Sequence, residues 1–158
     1  MIDWPRHVDD LLQAGWGLRA LACRWGCSEH QLWGLHIGRV DEPKYTVGVY
    51  VLRMHQAASL AGFFEPAPRK MVGRSTEVRD TSEALGRILM LAISPVGIAN
   101  RVGSTAGSIY SYRNHISLTP APIAERIEEL LDRCERTDLF DIMCPPRPGL
   151  GRVLLEAV

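Results

Sequence analysis

A register of 77 residues runs through this chain. Ala22, Gly26, Leu32 and Leu35 recur as Ala99, Gly103, Ile109 and Tyr112, each 77 residues further on. At the same offset, Val8, Leu11 and Leu12 map onto Leu85, Ile88 and Leu89, Arg24 onto Arg101, and Pro43 onto Pro120. Val47, Tyr50 and Met54 map onto Ala124, Ile127 and Leu131. Identity between the copies is low, but the apolar pattern matches at each of these positions without a gap. An internal duplication of roughly 50 residues fixes the architecture before any single element is assigned.

The second copy is the more legible. Ser94 to Asn114 reads SPVGIANRVGSTAGSIYSYRN. Ser94 can cap a helix with Pro95 at its first position, where a missing N–H costs little. Ile98, Ala99 and Val102 then share one helical face. Gly103 ends that helix, since glycine tolerates the left-handed exit. Ser104 or Thr105 caps the next helix, with Ile109 and Tyr112 on its inner face. A small residue at the crossing point, Ala99, and a glycine turn at Gly103 make a helix-turn-helix pattern.

The repeat predicts an all-α chain: two small helical bundles, each containing a helix-turn-helix, joined by a linker and followed by a short C-terminal tail. The expected divisions are 1–56, a linker over 57–80, 81–136, and a tail over 137–158. Helices are expected near 7–14, 18–25, 28–36 and 44–56, then near 81–92, 95–102, 105–114 and 120–135. Bundles this small are marginal alone, so packing between them or dimerisation is expected. The linker is broken by Pro66 and Pro68 and made basic by Arg69, Lys70, Arg74 and Arg79, against Glu77. It reads either as a solvated connector or as an arm that tracks phosphates. In the tail, Pro145, Pro146, Pro148 and Gly149 forbid helix. Residues 151–158 could be a strand or a short helix that packs on a bundle or on a second copy of the chain.

Composition narrows the function classes. No charged-then-apolar leader opens the chain, and the longest apolar run, Ile88 to Ile93, is far too short to span a bilayer. A cytoplasmic protein without membrane contact is the expectation. The 18 basic and 18 acidic residues balance, which counts against a nucleic-acid binder unless charge is segregated. It is: Gly86 to Leu118 carries Arg87, Arg101 and Arg113 and no acid, whereas Glu125 to Asp141 holds seven acids against three arginines. Cys23, Cys27, Cys134 and Cys144 read as free thiols. Cys23 and Cys27 with His30 and His36 could suggest zinc, but with no CxxC pair they serve better as small residues of a helix and turn. No nucleophile stands beside a base at recognisable spacing, and no phosphate-binding glycine loop is present, so no enzyme, cofactor or metal is expected.

The two segments RALACRWGCSEHQLWGLHIGRVDEPKYTVGVYVLRM and GIANRVGSTAGSIYSYRNHISLTPAPIAERIEELL resemble the phage-repressor and Cro-like helix-turn-helix family. Both show its order: a small-residue helix, a glycine turn with a capping residue, a reading helix, a loop with proline, and a closing helix. The resemblance covers roughly residues 7–56 and 84–133. Two units in one short chain depart from the usual single unit with an oligomerisation domain.

The resemblance implies that the first reading helix presents Ser28, Glu29, His30, Gln31 and Trp33, with Arg39 and Lys44 beyond it. The second presents Thr105, Gly107, Ser108, Tyr110 and Ser111, followed by Arg113 and Asn114. Gln31 can pair donor and acceptor with adenine, and Arg113 can reach guanine or phosphate. Trp33 and Tyr110 occupy equivalent outward positions, suited either to a thymine methyl or to packing between the units. Glu29, Asp41 and Glu42 repel phosphate, so the second unit is the better reader. The implied function is a sequence-specific regulator of transcription, a repressor of phage or mobile-element type, whose partner is double-stranded DNA. The chain would cover both half-sites alone, or as a homodimer. The alternative is an adaptor or inhibitor that uses the same fold to bind a protein, through the acidic helix or the tail.

Overall fold

The computed structural model describes residues 1–70 and 76–144. The helices are α1 (Trp4–Ala14), α2 (Leu18–Trp25), α3 (Glu29–His36), α4 (Tyr45–Leu60), α5 (Ser82–Leu89), α6 (Pro95–Val102), α7 (Ala106–Arg113), α8 (Ala121–Glu135) and α9 (Leu139–Met143). Strands β1 (Val78–Arg79) and β2 (Thr119–Pro120) pair antiparallel, Val78 opposite Pro120 and Arg79 opposite Thr119. The described residues are therefore overwhelmingly helical. The register holds in the helix bounds: shifted by 77, α2 falls on α6 and α3 on α7 residue for residue.

Local chemistry sets these bounds. Ser94 Oγ accepts from Gly97 N at 3.1 Å, Pro95 opens α6, and Gly103 closes it at φ 72°. Thr105 Oγ1 accepts from Ser108 N at 3.2 Å and starts α7. In the first half, Gly26 turns at φ 69° and Ser28 caps α3 in a reciprocal capping box with Gln31. Each cap satisfies amides that a helix end leaves open, at about 1 kcal/mol apiece.

Several bounds differ from the periodic pattern. α1 begins at Trp4, because Asp3 accepts from Arg6 N and Pro5 sits in the first turn. α4 runs on to Leu60, inside the expected linker, burying Ala57 and Ala58. Helix α9 lies where only irregular tail was expected. Five residues are too few to show a period, yet Leu139, Ile142 and Met143 are all buried, and α9 packs on α2, α4 and α8. The expected strand or helix over 151–158, and Arg74 of the linker, lie outside the described residues.

One continuous cluster of buried apolar side chains joins the first half (residues 1–70) to the second (residues 76–144). At its centre, Trp16 and Ile93, equivalent in the repeat, form an antiparallel bridge with each other. Ser94 N donates to the Gly15 carbonyl at 2.9 Å, and the buried Trp16 indole donates to the Leu91 carbonyl at 2.9 Å. Trp16 also meets Phe63 edge-on, with ring centres 4.7 Å apart. The backbones nearly touch: a Cβ on Gly97 would lie 2.5 Å from the Ala14 carbonyl oxygen and 3.0 Å from Gly15 Cα. Gly15 itself turns at φ 119°, so both glycines are required by geometry.

Equivalent arginines each bond the opposite half across this junction. Arg24 of α2 donates to the Met143 carbonyl at 3.0 Å, at the end of α9. Arg101 of α6, its counterpart, donates to the Gly62 carbonyl, just past α4. Helices α4 and α8 meet as well. The two arginines are equivalent in the register, but their acceptors are not, since the counterpart of Gly62 is Leu139 rather than Met143.

Candidate nucleic-acid interface

Helix α7 exposes a polar face because only Ile109 of its eight residues is fully buried, with Tyr112 half-buried beside it. Thr105, Gly107, Tyr110, Arg113 and Asn114 are exposed, and Ser108 and Ser111 are half-buried. The capping threonine holds Ser108 twice: its hydroxyl accepts from Ser108 N and donates to Ser108 Oγ at 2.9 Å. The N–H groups of Ala106 and Gly107 make no hydrogen bond among the described residues, as expected in a first helical turn. Around Gly107 there is open space even for a Cβ. No acid lies in the first turn of α7, so its dipole end is free to favour an anion.

At the other end of α7, Arg113 packs its guanidinium over Gly86 of α5. A Cβ on Gly86 would lie 3.2 Å from Arg113 Nε. Arg113 forms no ion pair among the described residues, in contrast to Arg79, Arg87, Arg133 and Arg136, each of which holds a carboxylate. Asn114 ends the helix and donates from Nδ2 to the Tyr110 carbonyl at 3.0 Å. His115 follows at φ 59° and reaches Asp80 at 3.8 Å.

Helix α3 differs. Ser28 and Gln31 hold each other: Gln31 N donates to Ser28 Oγ at 3.2 Å, and Gln31 Oε1 accepts from Ser28 N at 3.0 Å. The Gln31 carbonyl oxygen is thus occupied locally, leaving its amide nitrogen for a ligand. His30 stacks on the Trp33 ring with centres 5.8 Å apart, and the Arg39 guanidinium lies 5.3 Å from the same ring. Trp33 is 39% exposed and Tyr110 62%; neither is buried between the halves. Glu29 is exposed in the first turn of α3, and Asp41 and Glu42 are exposed beyond it, beside Lys44. The α3 face therefore mixes charges, whereas α7 itself carries no acid and Asp80 lies beyond its end, at His115.

Two features were not visible in the residue pattern. Ile116 and Leu118, 67% and 55% exposed, form an apolar ledge after α7, where Ile116 N donates back to the Ser111 carbonyl at 2.9 Å. The N-terminus of α6 is packed into the other half at Ala14 and Gly15, which removes it as a phosphate seat. Of the basic linker, Arg79 is held by Glu125 and Glu128 at 3.7 and 3.2 Å, and Arg69 offers its carbonyl to Arg126 at 3.4 Å. Among the described residues, no group of histidine, cysteine and carboxylate side chains could hold a metal, and no helix is long and apolar enough to cross a membrane.

Comparison of the chain with protein families, with curated proteins and with solved structures gives no significant match.

Proposed function

We propose that the chain is a sequence-specific double-stranded DNA-binding regulator of transcription, a repressor of phage or mobile-element type. Each half uses its two glycine-joined helices as a helix-turn-helix, with α3 and α7 as reading helices. The observation that carries the proposal is the α7 face. It combines free first-turn amides, half-buried serine hydroxyls, the exposed amide of Asn114, an arginine without a carboxylate partner among the described residues, and no acid on the helix itself. Backbone amides and Arg113 would fix phosphates, and Ser108, Ser111 and Asn114 would meet base edges. Chemistry by the protein is not needed, because occupancy alone blocks polymerase.

The test is selection from a random duplex pool, followed by affinity against salt. Enrichment of one site whose affinity falls by about 0.9 log units per log unit of salt for each phosphate contact supports the proposal. Arg113→Ala and Asn114→Ala should abolish selection; a loss with Gln31→Ala as well means that both helices read, and no effect of Gln31→Ala assigns reading to α7 alone. No enrichment, or affinity indifferent to salt, rejects it.

A second reading is favoured by one specific observation, the exposed trio Tyr110, Ile116 and Leu118 beside α7. In that reading the same face docks a protein, and the salt experiment gives a flat line.

A further inference from the structure

The two halves differ at one place where the repeat predicts the same construction. In the second half, β1 and β2 form a closed ribbon against α8: Ala121 N donates to the Glu77 carbonyl at 2.9 Å, and Arg79 reaches Glu125 and Glu128. The equivalents of Val78 and Arg79 in the first half are Met1 and Ile2, and those of Thr119, Pro120 and Ala121 are Glu42, Pro43 and Lys44. These two segments form no ladder with each other among the described residues. Between them and α4 lies an open groove of about 620 Å³, walled by Ile2, Trp4, Pro43, Tyr45, Val49 and Leu52. Ile2, Tyr45 and Leu52 are 43%, 85% and 36% exposed. Lys44 N, the counterpart of the bonded Ala121 N, has no acceptor among the described residues.

We propose that this groove binds an extended partner peptide, apolar in the middle and basic at its ends, as an added strand along Glu42–Lys44. The closed ribbon of the second half shows which backbone groups such a strand would use, and added strands are a general mode of peptide recognition. The side-chain chemistry differs from the template in a defined way. Glu125 and Glu128, which anchor Arg79, are replaced at the equivalent positions by the buried Gly48 and Val51, so no carboxylate reaches the groove there and the middle of the ligand meets Trp4, Val49 and Leu52. Exposed Asp41 and Glu42 line the groove's mouth, with Asp3 close by in the adjoining cleft, so its ends meet negative charge. This site stands apart from α7 and does not depend on DNA reading.

The experiment is a titration of the isotope-labelled full chain with the capped peptide KVIVKR, followed by amide chemical shifts. The expected result is saturable shifts confined to residues 2–4 and 42–52. The acidic peptide EVIVEE should bind at least about tenfold more weakly. Leu52→Lys, on the exposed rim, and Tyr45→Ala should each weaken binding without lowering the melting temperature, which separates groove chemistry from folding. Absence of saturable shifts, shifts centred elsewhere, or equal affinity for the two peptides overturns the proposal.

Discussion

Arg24 and Arg101 occupy the same position of the repeat, and each donates to a backbone carbonyl of the opposite half. Each guanidinium meets the C-terminal side of a helix, Arg24 at α9 and Arg101 at α4, where partial negative charge favours a cation. Arg101 is partly buried, and desolvation pulls its pKa down, an effect that nearby Glu65 opposes. Arg24→Ala or Arg101→Ala should each cost about 1.5–3 kcal/mol, the range for a hydrogen bond to a charged donor. All four tryptophans lie in the first half. Arg101→Ala, a change in the second half, should therefore lower the midpoint seen by tryptophan fluorescence as much as that seen by circular dichroism. Two separate midpoints would show that the halves unfold independently.

Trp16 and Trp25 should respond differently to phenylalanine. Trp16→Phe orphans the Leu91 carbonyl inside the junction, costing about 1–3 kcal/mol beyond the lost volume. The Trp25 indole N–H is buried without a partner among the described residues, while its ring stacks flat on Tyr50 at 5.7 Å. Trp25→Phe keeps that stacking and removes an unsatisfied donor, so it should cost clearly less in urea denaturation. Equal losses would contradict the assignment of the Trp16 bond.

Thiol labelling should be ordered by environment. Burial pushes the Cys134 thiol up to about 12 and raises Cys27 to a lesser degree, whereas Cys23 is exposed. Because the thiolate is the reacting form, maleimide should modify Cys23 in the native state and Cys134 only as the chain unfolds. Modification of Cys134 at the native Cys23 rate would disprove the packing of α8 on α9.

Acid should loosen the junction through Glu65. Its hydrogen bond from Arg133, then the charge of that arginine, hold its pKa below the ordinary 4.5. A carboxylate with a depressed folded pKa stabilises above its unfolded pKa, and that contribution fades as pH falls through the folded value. Asp80 adds in the same sense by accepting from Ser82 N. Stability should therefore decline as pH falls below the ordinary carboxylate range and through the lowered folded-state values, and Glu65→Gln should flatten part of that decline. An unchanged profile in the variant would remove the Arg133–Glu65 pair from the account.

The helices were legible in the residues because their caps and stripes are local. Ser94, Pro95, Gly103 and Thr105 each announce a bound through chemistry within four residues, and all four act as read. The outward placement of Arg113 and Tyr110 followed from the same period. The junction was not legible. Nothing near Trp16 in sequence indicates that its indole serves Leu91, and Arg24 carries no local mark of its bond to Met143, 119 residues away. Helix α9 escaped for another reason: its burial depends on surfaces of α2, α4 and α8 that exist only once those helices have packed. The open groove beside Tyr45 became visible only by setting one half against the other.

The bridge between Trp16 and Ile93 has a consequence for specificity. In a symmetric dimer every substitution is made twice, so both outer faces must accept the same residue. Here a tryptophan and an isoleucine meet at the centre, and one covalent chain carries both faces. Glu29 can sit on α3 while its counterpart on α7 is Ala106. Each face is thereby freed to change on its own, with the common core holding the pair at fixed stoichiometry.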